Sequence, residues 1–594
     1  MVAGYLFLIL FLSLSFTEGA DPIENFQWNV SYITVAPLGV KQQVIAINGQ
    51  FPGPNINSTT NNHIIINVLN SLDEDLLFTW DGIQQRRSSW EDGVLGTNCP
   101  IPPKWNWTYN FQVKDQIGSF FYFPSLSLQR SAGGYGGFTI TNRATIAVPF
   151  LLPDGDITIT IGDWYNAGHK ALRAKLDKGL SLGMPDGVLI NGKGPYPYNR
   201  TLVPKGILYE TINVEPGKTY RIRVSNVGTS TSLNFRIQSH VLRLVETEGS
   251  YVSEQNFTTG LDMHVGQSSS FLVTMDQNAS SDYYIVASAR FVNETVWSRV
   301  TGVAILKYSN SKGPASGPLP PPPDDQYDPS WSMNQARSIR WNLTAGAARP
   351  NPQGSFHYGQ INVTQSLLLR GSKVSVNGVT RYALNDVSFQ NPSTPLKLAD
   401  YYNLTGVFKL NAFPEKPADR TPSLLPSVIS GDYRGFMEIV FQNDDDAVQS
   451  YHLDGYAFFV VGFDSGTWTE DDRGRYNKWD GVARCTTQVF PHSWTAVYVS
   501  LDNVGMWNLR SELLPNWYLG QEMYIRVYNP EVSNKTEFPI PDNAIYCGRL
   551  ADKQKRPFTT LSAEGASSAS NLDCGTLLVA SIMSWWIFIF IVHY

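Results

Sequence analysis

The stretch QSYHLDGYAFFVVG, Gln449 to Gly462, has the outline of a metal-binding strand: a turn, polar side chains at every second position, then an apolar run. Residues two apart on a strand project from one face, so a metal cluster held on strands writes itself as His-x-His pairs. This stretch offers one histidine, His452. The whole chain holds eight, His63, His169, His240, His264, His357, His452, His492 and His593, and no two of them stand two apart. That spacing argues against a multi-imidazole cluster of the kind that reduces dioxygen. Two acidic runs, NDDDA from Asn443 and TEDDRGR from Thr469, lack the spacing and closing glutamate of a calcium loop and read as solvated loops. SAGGYGGF from Ser131 is glycine-rich but does not join a strand to a helix as a phosphate cradle requires, so it reads as a turn. No Ser/His/Asp or Cys/His nucleophile can be assembled from the order of residues.

The elements that must position these residues are strands. HIIINVLNSL from His63, KTYRIRVSNVG from Lys218 and SWTAVYVSLDNVGMWNL from Ser493 alternate apolar and polar residues at period two. Pro216-Gly217 supplies a turn between two such runs, with proline fixing the first dihedral and glycine taking the positive one. HKALRAKLDKGL from His169 is the best helical pattern. A chain of 594 residues exceeds one hydrophobic core, and the Pro/Gly/Ser-rich segment 309–330 divides it. The pattern predicts an all-β chain of three consecutive sandwiches, at 21–145, 146–308 and 331–552. Trp80, Trp90, Trp105 and Trp107 are either core residues or a platform for sugar rings. The formal charge is −6 and no run of five Lys/Arg occurs, so nucleic acid is not a partner on electrostatic grounds.

The two ends are apolar. MVAGYLFLILFLSLSFTEGA reads as a signal peptide over residues 1–20. At the other end EGASSAS, the spacer NLDC and the hydrophobic tail GTLLVASIMSWWIFIFIVHY are the three parts of a GPI-attachment signal. The expected attachment residue is Ser567 or Ser568, with a stalk over 553–568 and a removed propeptide over 569–594; a single-span anchor is the alternative. A secreted chain also predicts sugars, and eleven sequons occur, at Asn29, Asn57, Asn106, Asn199, Asn256, Asn278, Asn293, Asn342, Asn362, Asn403 and Asn534. With Cys574 lost in the tail, Cys99, Cys485 and Cys547 remain, an odd set that leaves one thiol unpaired.

NGQFPGP from Asn48, TWDGIQQRRSSWEDG from Thr79, GDWYNAGHKAL from Gly162, PDGVLINGKGPY from Pro185 and HLDGYAFFVVG from His452 together resemble multicopper oxidases of the ascorbate oxidase and laccase type. GVLGTNCPIPP, IGSFFYFPSLSLQRSAGGYGG and the GPI-type tail narrow the resemblance to the plant monocopper oxidase-like, or skewed (SKU/SKS), subfamily. The resemblance implies three cupredoxin-like Greek-key domains. It also implies where copper ligands would fall. The trinuclear positions fall on Thr79, Asp81, Phe123, Ser125, His452, Asp454, Arg510 and Glu512, and the blue-copper positions on Gln449, Ser511, Asn516 and Gln521. One family ligand, His452, survives.

Without a thiolate or paired imidazoles the blue position has neither a charge-transfer chromophore nor an electron entry point. The cluster positions read instead as a buried ion-pair network in which Arg510 meets Asp81, Asp454 or Glu512, and whose disruption would cost roughly 3–5 kcal/mol. A hard-cation site on the three carboxylates, and one copper ion at most on His452, are the alternatives. The resemblance further implies a disulfide between Cys99 and Cys547, leaving Cys485 free, and a glycoprotein acting in cell-wall expansion and directional growth. Its place is the outer face of the plasma membrane and the wall, with wall polymers or wall proteins as partners. The competing expectation is a copper-dependent oxidoreductase of the apoplast.

Overall fold

Alternation becomes burial in the computed structural model, which describes residues 21–194, 208–292, 300–323, 328–342, 361–531 and 533–554. Strand His63–Asn70 buries Ile64, Ile66, Val68 and Asn70 and leaves the intervening residues half-covered. It lies between Ile23–Val35 and Asn106–Gln112 in a four-stranded sheet completed by Gln42–Ile47. A second four-stranded sheet orders Ile56–Thr59, Gly136–Thr141, Gly118–Pro124 and Phe78–Asp81. Rings lock the two together: Trp28 of the first sheet stands 4.6 Å from Tyr122 and 5.5 Å from Phe78 of the second.

The second sandwich pairs a six-stranded with a five-stranded sheet, joined where Phe235 stacks on Phe271 at 6.1 Å. The third pairs an eight-stranded with a five-stranded sheet, and there Phe441 stacks on Tyr451 at 4.6 Å. In the smaller sheet of the third sandwich the order is Val428–Asp432, Glu522–Tyr528, Gly505–Ser511, Gln449–Leu453, Thr486–Val489. Each sandwich closes its core with interleaved apolar residues from two sheets, the all-β architecture that alternation predicts.

The expected helix forms at His169–Asp177 and turns His169, Leu172 and Leu176 inward. Among the described residues three further helices form, at Ser330–Ser338, Leu396–Tyr401 and Leu514–Tyr518, and the last two span less than two turns, too short to show helical periodicity in the sequence. The turn at Gly217 takes φ +78°, as expected. The proline-rich stretch forms no strand over 309–323; Arg236 Nε donates to Pro320 O at 3.0 Å and Tyr284 to Ala315 O at 3.1 Å, pinning it along the second sandwich. TEDDRGR closes on itself as a short 3₁₀ helix whose Thr469 and Asp472 cap each other. Trp80, Trp90 and Trp107 are buried and Trp105 packs on the same core, so these rings hold the first sandwich together and form no sugar platform.

Cys99 and Cys547 form the disulfide, and Cys485 is free and buried. Among the described sequons Asn29, Asn57, Asn106, Asn256, Asn278, Asn362, Asn403 and Asn534 are exposed and Asn342 is half-buried. The expectations for residues 1–20, Asn199, Asn293, Ser567 and Ser568 lie outside the described residues.

Candidate metal centre and its buried ion pairs

Strand register builds the site. In the third sandwich Arg510 lies opposite Glu522 on one side and opposite His452 on the other, and His452 lies opposite Thr486. Directly opposed residues share a face, so Glu522, Arg510, His452 and Thr486 form one polar row running across four strands. Period two adds Asp454 beside His452, and Asn508 and Glu512 beside Arg510. Against this face the first sandwich presents Asp81, at the end of strand Phe78–Asp81, and Arg130, in a short 3₁₀ turn.

The contacts are ionic and closed to water. Arg510 Nη1 donates to Asp454 Oδ2 at 2.6 Å and Nε to Glu512 Oε1 at 3.0 Å, while Nη2 stands 3.7 Å from Asp81 Oδ2. Arg130 takes the other side of Glu512, Nη1 to Oε2 at 2.7 Å and Nη2 to the main-chain oxygen at 2.5 Å. His452 Nε2 stands 3.0 Å from Asp454 Oδ1; Nδ1 faces Thr486 Oγ1 at 2.8 Å and Asp81 Oδ2 at 3.5 Å. Arg510, Arg130, Glu512 and His452 are at most 1 % exposed.

Charge follows from those neighbours. Burial would raise the Asp454 carboxyl, but Arg510 and His452 outweigh it and hold it at about 2. Glu512 is likewise held low against burial by Arg510 and Arg130. Burial, aided by the neighbouring Asp454 carboxylate, pushes Asp92 well up, and burial against hydrogen bonds from Trp517 and Asn508 pushes Glu522 to about 7. Burial also pushes Asp81 to about 8, and His452 is raised because Asp81 and Asp454 overcome the burial that opposes its protonation. The two shifts point the same way: burial favours the proton on Asp81, and the carboxylates around it favour the proton on His452.

The expected pairing of Arg510 is present, and the expected composition of the cluster needs two corrections. A second guanidinium, Arg130, takes part. Ser125 does not: its hydroxyl donates to Gly93 O at 2.6 Å. Phe123 occupies a ligand position with a ring that faces both cations, 4.5 Å from the Arg130 guanidinium carbon and 6.0 Å from that of Arg510. Thr79 is fully buried and its hydroxyl makes no hydrogen bond.

The blue-copper positions are packed with polar groups that are hydrogen-bonded to one another or to close neighbours. Asn516 Nδ2 donates to Gln521 Oε1 at 3.1 Å, Gln449 Nε2 to Asp445 Oδ2 at 2.9 Å, and Ser511 Oγ accepts the Leu513 amide at 3.3 Å. Tyr451, which the sequence did not single out, donates to Gln449 Oε1 at 2.5 Å. Gly371 faces them so closely that a Cβ there would lie 2.3 Å from the Tyr451 hydroxyl, 2.5 Å from Gln449 Oε1 and 2.8 Å from Gln521 Nε2. Copper of the blue type needs a thiolate and imidazoles; amides and hydroxyls that satisfy one another do not fit it. Two guanidiniums standing in the trinuclear region do not fit a set of cupric ions either.

Other residues of the site are invisible in the sequence because they come from distant segments. Glu248, on a turn of the second sandwich, accepts the main-chain amide of Cys485, pairs with Arg484 at 3.3 Å, and offers its own carbonyl to the Ser119 amide at 3.0 Å, so it touches all three sandwiches. Cys485 precedes Thr486 in the polar row. Its sulfur, one Asp81 oxygen and one His452 nitrogen all lie within 4.8 Å of one another.

Comparisons with known proteins agree with this architecture. Three multicopper oxidase family models match residues 29–145, 155–311 and 393–533. The chain is 63% identical over 579 residues to the monocopper oxidase-like protein SKU5 of Arabidopsis thaliana, covering 97% of this chain and 98% of that one. It is 60% identical to the monocopper oxidase-like protein SKS1 of the same plant, over 97% of this chain and 98% of that one. The crystal structure of laccase from Botrytis aclada superposes with a TM-score of 0.70 at 22% identity, over 85% of this chain and 88% of that one.

Proposed function

The chain belongs to the multicopper oxidase family, and from that premise we propose that it is a cell-surface glycoprotein that keeps the scaffold without the oxidase reaction. The observation that carries the reading is the substitution of ion pairs and amides at the relay: Arg510 bound to Asp454 and Glu512, and Gln449, Asn516 and Gln521 tied into hydrogen bonds. A fold alone grants no activity. The rewritten centre becomes a structural joint between the first and third sandwiches. Secretion, GPI anchoring at the outer face of the plasma membrane, and a role in cell-wall expansion and directional growth complete the reading. They draw support from the leader, the tail signal, the exposed sequons and the similarity to SKU5 and SKS1. Wall polymers or wall proteins are the proposed partners.

A copper-dependent oxidoreductase working through a single ion is the second reading, favoured by the proximity of Asp81, His452 and Cys485. The experiment is oxygen uptake on phenols and ascorbate by the secreted full chain, with copper content and visible absorbance measured on the same sample. We expect no turnover and no intense blue band. Stoichiometric copper with turnover that His452→Ala abolishes overturns the first reading in favour of the second. Release of the protein from membranes by phosphatidylinositol-specific phospholipase C tests the anchor.

A further inference from the structure

The Asp81 Oδ2 atom is buried and accepts no hydrogen bond, although it faces the imidazole of His452 at 3.5 Å. The third member of that group, Cys485, is a buried thiol outside any disulfide. We propose that Asp81, His452 and Cys485 form a three-ligand site for one thiophilic divalent cation of the zinc type. The proposal rests on the reading of this centre as a rewritten relay and says nothing of growth.

Three observations carry it. Donor atoms no more than 4.8 Å apart place a central ion within about 2.8 Å of each, so a closure of about 0.5 Å at sulfur and about 0.6–0.8 Å at nitrogen and oxygen reaches zinc bond lengths. His452 presents Nδ1 to Asp81 while Nε2 stands 3.0 Å from the Asp454 carboxylate, the arrangement in which an outer carboxylate fixes a ligating histidine. Binding exchanges the Thr486 hydrogen bond on Nδ1 for the metal. A cavity of about 30 Å³, lined in part by Gly82, Gln116, Phe120, Glu248 and Arg484, has Cys485 in its wall and room for about one water beside the sulfur.

The charges select a dication. Asp454 and Glu512 balance Arg510 and Arg130, and Glu248 balances Arg484. What remains is Asp81 and Cys485, which together neutralise a charge of two once binding displaces their protons, and that of His452, to solvent. Sulfur, imidazole and one carboxylate are zinc donors; magnesium and calcium prefer oxygen alone.

The test is Co²⁺ titration of the secreted full chain, followed by Zn²⁺ competition. We expect one Co²⁺ per chain, tetrahedral visible bands, a near-ultraviolet thiolate-to-cobalt band, and displacement by Zn²⁺. Asp454→Asn should weaken Co²⁺ binding about 10–100-fold, as loss of an outer carboxylate does, and Cys485→Ser should abolish the thiolate band. Should Cys485→Ser not fold, alkylation of the native protein gives the same answer: Zn²⁺ should protect the Cys485 peptide from iodoacetamide. Absence of bound Co²⁺, Co²⁺ without a thiolate band, unprotected Cys485, or binding of Cu⁺ but of neither Co²⁺ nor Zn²⁺ overturns the site. Oxygen uptake decides the oxidase question separately, so the two readings can fail independently.

Discussion

Replacing Arg510 with methionine isolates what the rewritten centre contributes to stability. Methionine keeps much of the volume over Trp517, whose ring lies 4.7 Å from the guanidinium carbon, but removes the partner of Asp454. Glu512 retains Arg130 at 2.7 Å. Asp454, 4 % exposed, then keeps His452 as its remaining cationic neighbour, with the Asp92 carboxyl also beside it. Breaking a buried pair by deleting one partner costs about 3–5 kcal/mol, because the remaining charge stays desolvated. If the third sandwich melts as a unit of about 200 residues, that loss lowers its transition by roughly 6–20 °C. The assay is calorimetry and urea unfolding of the secreted protein at neutral pH, with Asp454→Asn alone and both substitutions together. The double variant should recover part of the loss, since a neutral asparagine beside methionine leaves no stranded charge. An Arg510→Met protein within about 1 kcal/mol of the parent, or a double variant with purely additive loss, would refute the idea that Arg510 and Asp454 hold the joint as a pair.

Burial pushes Glu91 to about 8 from an ordinary 4.5, with a hydrogen bond from the Asn110 amide opposing it. A raised carboxyl contributes stability below its unfolded value that disappears as pH rises through the folded one, so Glu91→Gln should gain on the parent from about pH 4.5 to pH 8, by a few kcal/mol in urea melts. Gly118 takes φ +127°, and a Cβ there would lie 1.9 Å from the Glu248 carbonyl; Gly118→Ala should destabilise the junction of the first two sandwiches by about 1–3 kcal/mol or more in the same melts. Replacing both Cys99 and Cys547 with serine opens a loop spanning 448 positions and should cost about 4–6 kcal/mol on the chain-entropy model, read as a lower melting temperature that reductant no longer changes.

Much of the scaffold was legible because alternation and burial are the same statement made twice: Ile64, Ile66 and Val68 face inward at the period the sequence shows. The pairing of Arg510 was legible too, since strand period two places Glu512 beside it and the family frame places Asp454 and Asp81 nearby. Arg130, Glu248 and Cys485 were not, because each reaches the centre from a different part of the chain through long-range packing. Tyr451 escaped notice for another reason: its neighbours Gln449 and His452 occupy ligand positions, whereas it stands at an intervening one and fills space that only the folded sheet defines. The tryptophans show that residue type alone does not separate a platform from a core. Trp80 and Trp107 carry the same chemistry either way, and burial decides.

The bond between Cys99 and Cys547 also sets how the molecule bears load. Tension applied beyond Gln554 meets that bond before it reaches the strand Glu522–Tyr528, and passes through it directly into the first sandwich. Residues 100–546 lie inside the closed ring, so the pull has a covalent bypass around the second and third sandwiches and the charged joint at Arg510. While the bond is intact, the load falls on the segment N-terminal to Cys99 and on residues 548–554. Reduction would reroute the same force through Glu522–Tyr528 and peel the third sandwich open from its end.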